Sequence, residues 1–172
     1  MSQSILFTDV DDVLVLRRTV DFDKHHIELT DDICQRLLHA PALQVLATLV
    51  AEGATLVITS NWMRFLPEEG FRRFFYAGGY PTVASALHPA WQAPRMPGST
   101  RLAAIDAWLD EHHCGEPYCI LDDTQSGSGL RGSSHDVEDR VVLCEPGVGL
   151  HAGHLPKIQA ALKVLPRGKI GV

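Results

Sequence analysis

The stretch Ile5-Leu6-Phe7-Thr8-Asp9-Val10-Asp11-Asp12-Val13-Leu14 decides how the rest of the chain is read. A brief apolar run stops at an aspartate without polar alternation. That is the form of a strand buried on both faces, hence of a parallel sheet covered by helices. The same form recurs in Ala54-Thr55-Leu56-Val57-Ile58-Thr59, in Tyr118-Cys119-Ile120-Leu121 and in Val141-Val142-Leu143. Between these runs lie amphipathic segments. Over residues 41–52, Leu43, Leu46, Ala47 and Val50 share one face and Gly53 supplies a C-terminal cap. Over 100–113, Leu102, Ile105, Trp108 and Leu109 line one side, Ser99 or Thr100 caps the start, and Gly115 and Pro117 end it. A last helix is expected over 155–165. Strand–helix alternation predicts an α/β fold: a doubly wound, mainly parallel Rossmann-like sheet with helices on both faces.

The 172 residues suit a single domain spanning 1–172. Two segments break the alternation and are read as insertions over the ligand-binding edge of the sheet. Residues 15–40 carry mixed charge, including Arg17, Arg18, Lys24, His25 and His26, and residues 62–99 are rich in aromatic residues, Gly and Pro. A hydrophobic content of 45% supports a real core. The 15 basic and 21 acidic residues leave a net charge of −6, which argues against a broad basic face for nucleic acid but not against an enzyme acting on a nucleic-acid end. No run approaches the ~18 apolar residues of a membrane helix, and no basic-then-apolar leader is seen at the N-terminus. Cys34, Cys114, Cys119 and Cys144 form no CxxC pair and are expected to be reduced, in a cytoplasmic protein with no membrane association and no obligate protein partner evident.

Ligands of open parallel sheets bind at the carboxyl ends of the strands. Here those ends read Asp9-Val10-Asp11-Asp12, Thr59-Ser60-Asn61 and Asp122-Asp123. A single strand-end aspartate is commonly a turn or cap residue. Acidic clusters ending two strands, with hydroxyls ending a third, call for a cation to offset their repulsion. A hard divalent ion with oxygen ligands, Mg2+, suits that chemistry.

These motifs resemble the haloacid dehalogenase (HAD) superfamily. Residues 7–14 are similar to its first motif, Ile58-Thr59-Ser60-Asn61 to its second and Cys119-Ile120-Leu121-Asp122-Asp123 to its fourth, while Ser99-Thr100-Arg101 opens a helix where the family places its basic third motif. Ser60-Asn61-Trp62 and Val148-Gly149-Leu150 further resemble a small bacterial HAD subgroup related to the HAD domains of Swiss Army knife RNA-repair proteins.

The resemblance implies a HAD-like fold, here without a large cap domain, and a Mg2+-dependent phosphatase acting on a phosphomonoester through an aspartyl-phosphate. Asp9 would be the nucleophile and Asp11 the general acid–base. Ser60, with Thr59 and Asn61 beside it, and Arg101 would bind the phosphoryl group. Asp9, Asp11 (through its backbone carbonyl), Asp122 and Asp123 would form the metal site. The substrate would be a phosphorylated small molecule or a phosphorylated nucleic-acid end. Arg101 stands where the family more often has Lys, and Asp12 where it usually has Gly. Those departures leave a catalytically impaired metal- or phosphate-binding module as the alternative. The absence of GxxxxGK[ST] argues against a nucleotide-dependent kinase, and Asp11 argues against a carbon–halogen hydrolase.

Other signals weigh less. The Gly/Ser-rich residues 125–134 begin beside the fourth motif and are read either as a loop closing with Arg131 over a phosphate or as a solvated linker. His112, His113, Cys114 and Cys119 match no common zinc spacing, His151 and His154 are read as surface residues, and the aromatic residues of 62–91 as core rather than a base-stacking platform.

Overall fold

Five strands form one sheet: β1 (Ser4–Thr8), β2 (Ala54–Ile58), β3 (Leu87–Gln92), β4 (Tyr118–Asp123) and β5 (Val141–Cys144). The computed structural model describes residues 3–17 and 29–165. All neighbouring strands pair in parallel, in the order β3-β2-β1-β4-β5. Seven helices accompany them among the described residues: α1 (Asp31–Leu37), α2 (Ala40–Ala51), α3 (Glu68–Ala77), α4 (Pro81–Ser85), α5 (Arg101–His112), α6 (Ser134–Val137) and α7 (Leu155–Ala161).

Because successive strand side chains point to opposite faces, the sheet divides the core in two. Leu6, Leu56, Ile58, Cys119, Leu121, Val142 and Cys144 pack on one face with side chains of α1, α2, α3, α4 and α7. Ile5, Phe7, Val57, Ile120 and Val141 pack on the other with Ile105 and Trp108 of α5 and with Leu130. The sheet is therefore covered on both sides, as expected of parallel strands made of continuous apolar runs.

The sequence reading differs from the structure chiefly in the segments taken as insertions. It counts four strands, but residues 62–99 also supply β3, which extends the sheet beyond β2. β3 lies at an edge, carries Pro89 and shifts register between Leu56 and Ile58 of β2. Proline within a strand is tolerated at such an edge, where no second neighbour needs its N–H. The aromatic residues ahead of it are core, as expected: Trp62, Phe71, Phe74 and Phe75 are buried, with Trp62 and Phe74 ring centroids 5.6 Å apart.

In the other segment, Thr30 caps α1 by accepting from the Ile33 N–H, and Cys34 and Leu37 are buried. Arg18, Lys24, His25 and His26 lie outside the described residues. The last helix ends at Ala161 rather than 165. Arg140 donates to the Val164 carbonyl at 3.3 Å, holding the chain beyond the helix by another means.

Candidate active site

Strand register brings the three motif ends to one level. Thr8 pairs with Ile58 on one side and Leu121 on the other. One residue further, the Thr59 N–H donates to the Thr8 carbonyl at 3.0 Å and the Asp9 N–H to the Leu121 carbonyl at 2.9 Å. Asp9, Thr59 and Asp122 thus share the carboxyl-end rim, where strand order reverses direction between β1 and β4. In open α/β sheets that switch point is where ligands bind.

Asp9, Asp122 and Asp123 are all buried, and one carboxylate oxygen of each lies within 4.8 Å of those of the other two. Asp122 Oδ1 accepts from the Asp123 N–H at 2.8 Å. Asp123 Oδ1 accepts from the N–H groups of Gln125 and Ser126 at 2.8 and 3.0 Å. The second oxygens, Asp122 Oδ2 and Asp123 Oδ2, are buried with no aligned hydrogen bond. Burial and the neighbouring Asp9 carboxylate push the Asp122 carboxyl well above the usual carboxylate range.

The compensating charge inside the protein is Arg101. Its Nη1 lies 3.1 Å from Asp9 Oδ1 and 3.1 Å from Asp122 Oδ2, and it donates to Thr59 Oγ1 at 3.4 Å. Burial would pull the guanidinium down, but Asp9 and Asp122 outweigh it and hold it above its ordinary value. Arg101 is the first residue of α5, whose start is fixed by Thr100 accepting from the Ala103 N–H at 3.1 Å. Arg17, about half exposed, reaches Asp123 Oδ2 only at 4.0 Å, so three buried carboxylates share one buried guanidinium and keep a net negative charge. Two buried oxygens without an aligned hydrogen bond and that residual charge fit a hard divalent cation with oxygen ligands.

The second motif separates into distinct roles. Thr59 meets Arg101, while buried Ser60 accepts from the Trp62 N–H at 3.3 Å and caps the turn Asn61–Arg64. The Ser60 hydroxyl proton is left to donate elsewhere. Asn61 is exposed, and its Oδ1 accepts from Arg95 Nη2 at 2.6 Å. Asp11 is half-buried. Its carboxylate stands outside the three-aspartate group and accepts from the Trp62 indole N–H at 3.1 Å.

Asp12, standing where glycine was expected, adopts φ +56°. Aspartate tolerates this left-handed conformation better than most residues, so the turn survives. Its charge is also spoken for. Oδ1 accepts from the N–H groups of Arg17 and Gly147 at 3.1 Å each, and Oδ2 pairs with Arg17 Nε at 3.0 Å. The Leu150 N–H donates to the Val13 carbonyl at 3.0 Å, and a side chain at Gly149 would come within 2.8 Å of Leu16. The Val148-Gly149-Leu150 segment thus clamps the turn that follows β1.

The Gly/Ser-rich stretch is built into the site rather than being a solvated linker. Gly127 is buried, and a Cβ there would lie 2.8 Å from Asp122 Cβ and 2.8 Å from the Asp123 carbonyl oxygen. Leu130 is buried in the core, whereas Arg131 is exposed.

The histidine and cysteine cluster does not assemble: Cys119 is buried within β4 and Cys114 is exposed. His151 and His154 are half-buried, with ring centroids 4.1 Å apart and planes tilted by 49°, and are joined in a reciprocal cap.

The sequence reading missed Arg17, the Trp62 indole and Gly127 as parts of this assembly. Only Trp62 carried a signal, standing beside Ser60-Asn61. No curated protein matches the chain. A family model described as the HAD domain in Swiss Army Knife RNA repair proteins matches residues 5–155, taking in the three strand-end motifs, the Arg101 helix start and the 148–150 clamp. The chain therefore belongs to the family of HAD domains found in Swiss Army Knife RNA repair proteins.

Proposed function

We propose that the chain acts as a single HAD-like domain, with 15–40 and 62–99 elaborating its active-site edge, and that it is a Mg2+-dependent phosphatase for phosphomonoesters. The observation that carries this reading is the three-aspartate group at the switch point with Arg101 bridging Asp9 and Asp122. Asp9, Asp122 and Asp123, with the Asp11 backbone carbonyl, would hold the ion. When bound, Mg2+ supplies positive charge that offsets the carboxylates and the phosphoryl oxygens.

Asp9 attacks phosphorus with one carboxylate oxygen. As that P–O bond forms, the bond to the ester oxygen breaks, and protonated Asp11 gives its proton to the departing alkoxide. The Trp62 indole N–H holds Asp11 in position for this transfer. Asp11, now a carboxylate, takes a proton from water attacking the aspartyl-phosphate, which regenerates Asp9 and releases inorganic phosphate. Thr59, Ser60 and Asn61 orient the phosphoryl oxygens, and Arg101 neutralises their charge. The family's place in RNA repair supports a phosphorylated substrate, either a small molecule or a nucleic-acid end. The free thiols suit a reducing compartment such as the cytoplasm.

The impaired-module alternative draws on one observation, the ion pair that engages Asp9 with Arg101. Assay of an aryl phosphate with and without Mg2+ separates the two. Phosphatase action requires metal-dependent turnover that is lost in both Asp9→Asn and Asp11→Asn, with the circular dichroism spectrum unchanged. Metal binding without turnover of any phosphoester supports the module.

A further inference from the structure

A small cavity of about 120 Å³ opens beside the second motif, lined by Thr59, Ser60, Asn61, Arg64, Gln92 and Arg95 among others. It contains two arginines and no carboxylate, in a chain whose net charge is −6. Arg95 is anchored at the site, since its Nη2 donates to Asn61 Oδ1 at 2.6 Å. Its segment follows the sheet rim, where the Ala93 N–H donates to the Ile58 carbonyl at 2.9 Å. Arg64 is exposed, and its side chain makes no hydrogen bond or ion pair among the described residues.

The size of this cavity limits what it can take. Pockets for whole drug-sized ligands run to roughly 300–1,000 Å³, so this one suits a single small group on a larger substrate. Two guanidiniums, with the amides of Asn61 and Gln92 beside them, present planar donors suited to phosphate oxygens. Thr59 and Ser60 belong both to this cavity and to the proposed phosphoryl site, so a group seated here is attached close to the reacting phosphorus.

We infer that this cavity binds a second phosphate on the leaving group, so that the preferred substrates are phosphomonoesters carrying a further phosphate near the one removed. The inference rests on the phosphatase reading above and names its substrate class. The second phosphate could belong to a bisphosphorylated small molecule or to the first diester of a phosphorylated oligonucleotide.

The test compares a nucleoside 5′-monophosphate, a nucleoside 3′,5′-bisphosphate and a 5′-phosphorylated dinucleotide. The first nucleoside is common to all three; the bisphosphate adds a second phosphate alone, and the dinucleotide adds it as a diester carrying a second nucleoside. In wild-type protein with Mg2+, kcat/KM for one or both two-phosphate substrates should exceed that for the monophosphate by about tenfold. The preference should shrink with added salt and collapse in the double variant Arg64→Ala/Arg95→Ala. Preference for the bisphosphate alone identifies a small-molecule substrate, and preference for the dinucleotide identifies a nucleic-acid end.

Calorimetric binding of the same three compounds to Asp9→Asn, with and without the arginine substitutions, gives a readout independent of turnover. Equal turnover of all three substrates, or a preference that survives the double variant, overturns the inference while leaving the phosphatase reading intact. Absence of turnover with every substrate overturns the phosphatase reading; the inferred subsite then stands or falls on tighter two-phosphate binding and its loss in the double variant.

Discussion

Replacing Arg101 with methionine removes the one buried cation that, among the described residues, faces Asp9 and Asp122 and keeps most of the apolar stem. The guanidinium is 6% exposed and sits 3.1 Å from a carboxylate on each side, the two aspartates being 2% and 0% exposed. Removing one member of such a buried ion pair costs about 3–5 kcal/mol, because the remaining charges are left unpaired away from water. At about 2–4 °C per kcal/mol for a chain of this size, the melting temperature in chelator should fall by roughly 6–20 °C.

Two conditions should restore it. Mg2+ supplies the missing positive charge, so its stabilisation should be larger in Arg101→Met than in wild type. Acid should act in the same direction. Burial and Asp9 already raise the Asp122 carboxyl, so the folded state keeps that proton to higher pH than the unfolded chain does. The protonated form is tolerated in the fold, and stability is lost as pH rises through the folded value. The deficit of the variant should therefore shrink between pH 8 and pH 5.5. Differential scanning fluorimetry across pH, with chelator or with Mg2+, reads all three effects. A variant that melts within about 2 °C of wild type in chelator, or whose deficit ignores both pH and Mg2+, would refute the proposed electrostatic balance.

Gly127→Ala places a Cβ 2.8 Å from both Asp122 Cβ and the Asp123 backbone, so it should destabilise by about 1–3 kcal/mol and weaken Mg2+ binding; unchanged urea unfolding and metal titration would contradict this. Asp12→Ala combines the loss of charge-assisted bonds to Gly147 and Arg17 with a left-handed alanine, about 2–4 kcal/mol together, whereas Asp12→Gly should cost less because it relieves the backbone strain. Equal losses in the two variants would show that the φ of +56° carries no strain. Burial, with His151 nearby, pushes the imidazoles of His39 and His154 down. Both stay neutral in the fold below the pH at which the unfolded chain takes up protons, so stability should fall as pH drops below about 6.5. The double variant His39→Gln/His154→Gln should flatten that slope in thermal melts, and an identical slope would remove these residues from the account.

The stretch 62–99 shows where sequence reading stops. Its helical aromatic residues were legible as core, but β3 was not legible as a strand. Leu87-His88-Pro89-Ala90-Trp91-Gln92 contains a proline and alternates poorly, because an edge strand packs only in part and tolerates a missing N–H. α1 was hidden for a related reason: a seven-residue helix burying Cys34 and Leu37 gives too short a period to stand out from charged neighbours.

The sequence by itself determined the parallel sheet, its two-sided cover and the rim residues Asp9, Thr59, Ser60, Asp122 and Asp123. Those follow from local properties: an apolar run long enough to cross the sheet, and a polar residue where the run stops. Only the tertiary structure decided which oxygens meet. It set Arg101 between Asp9 and Asp122, turned the Trp62 indole to Asp11, and gave the Asp12 carboxylate to Gly147. Each of these contacts joins residues 21 to 135 positions apart. The geometry of such a contact is set by strand order and register, which no local pattern records.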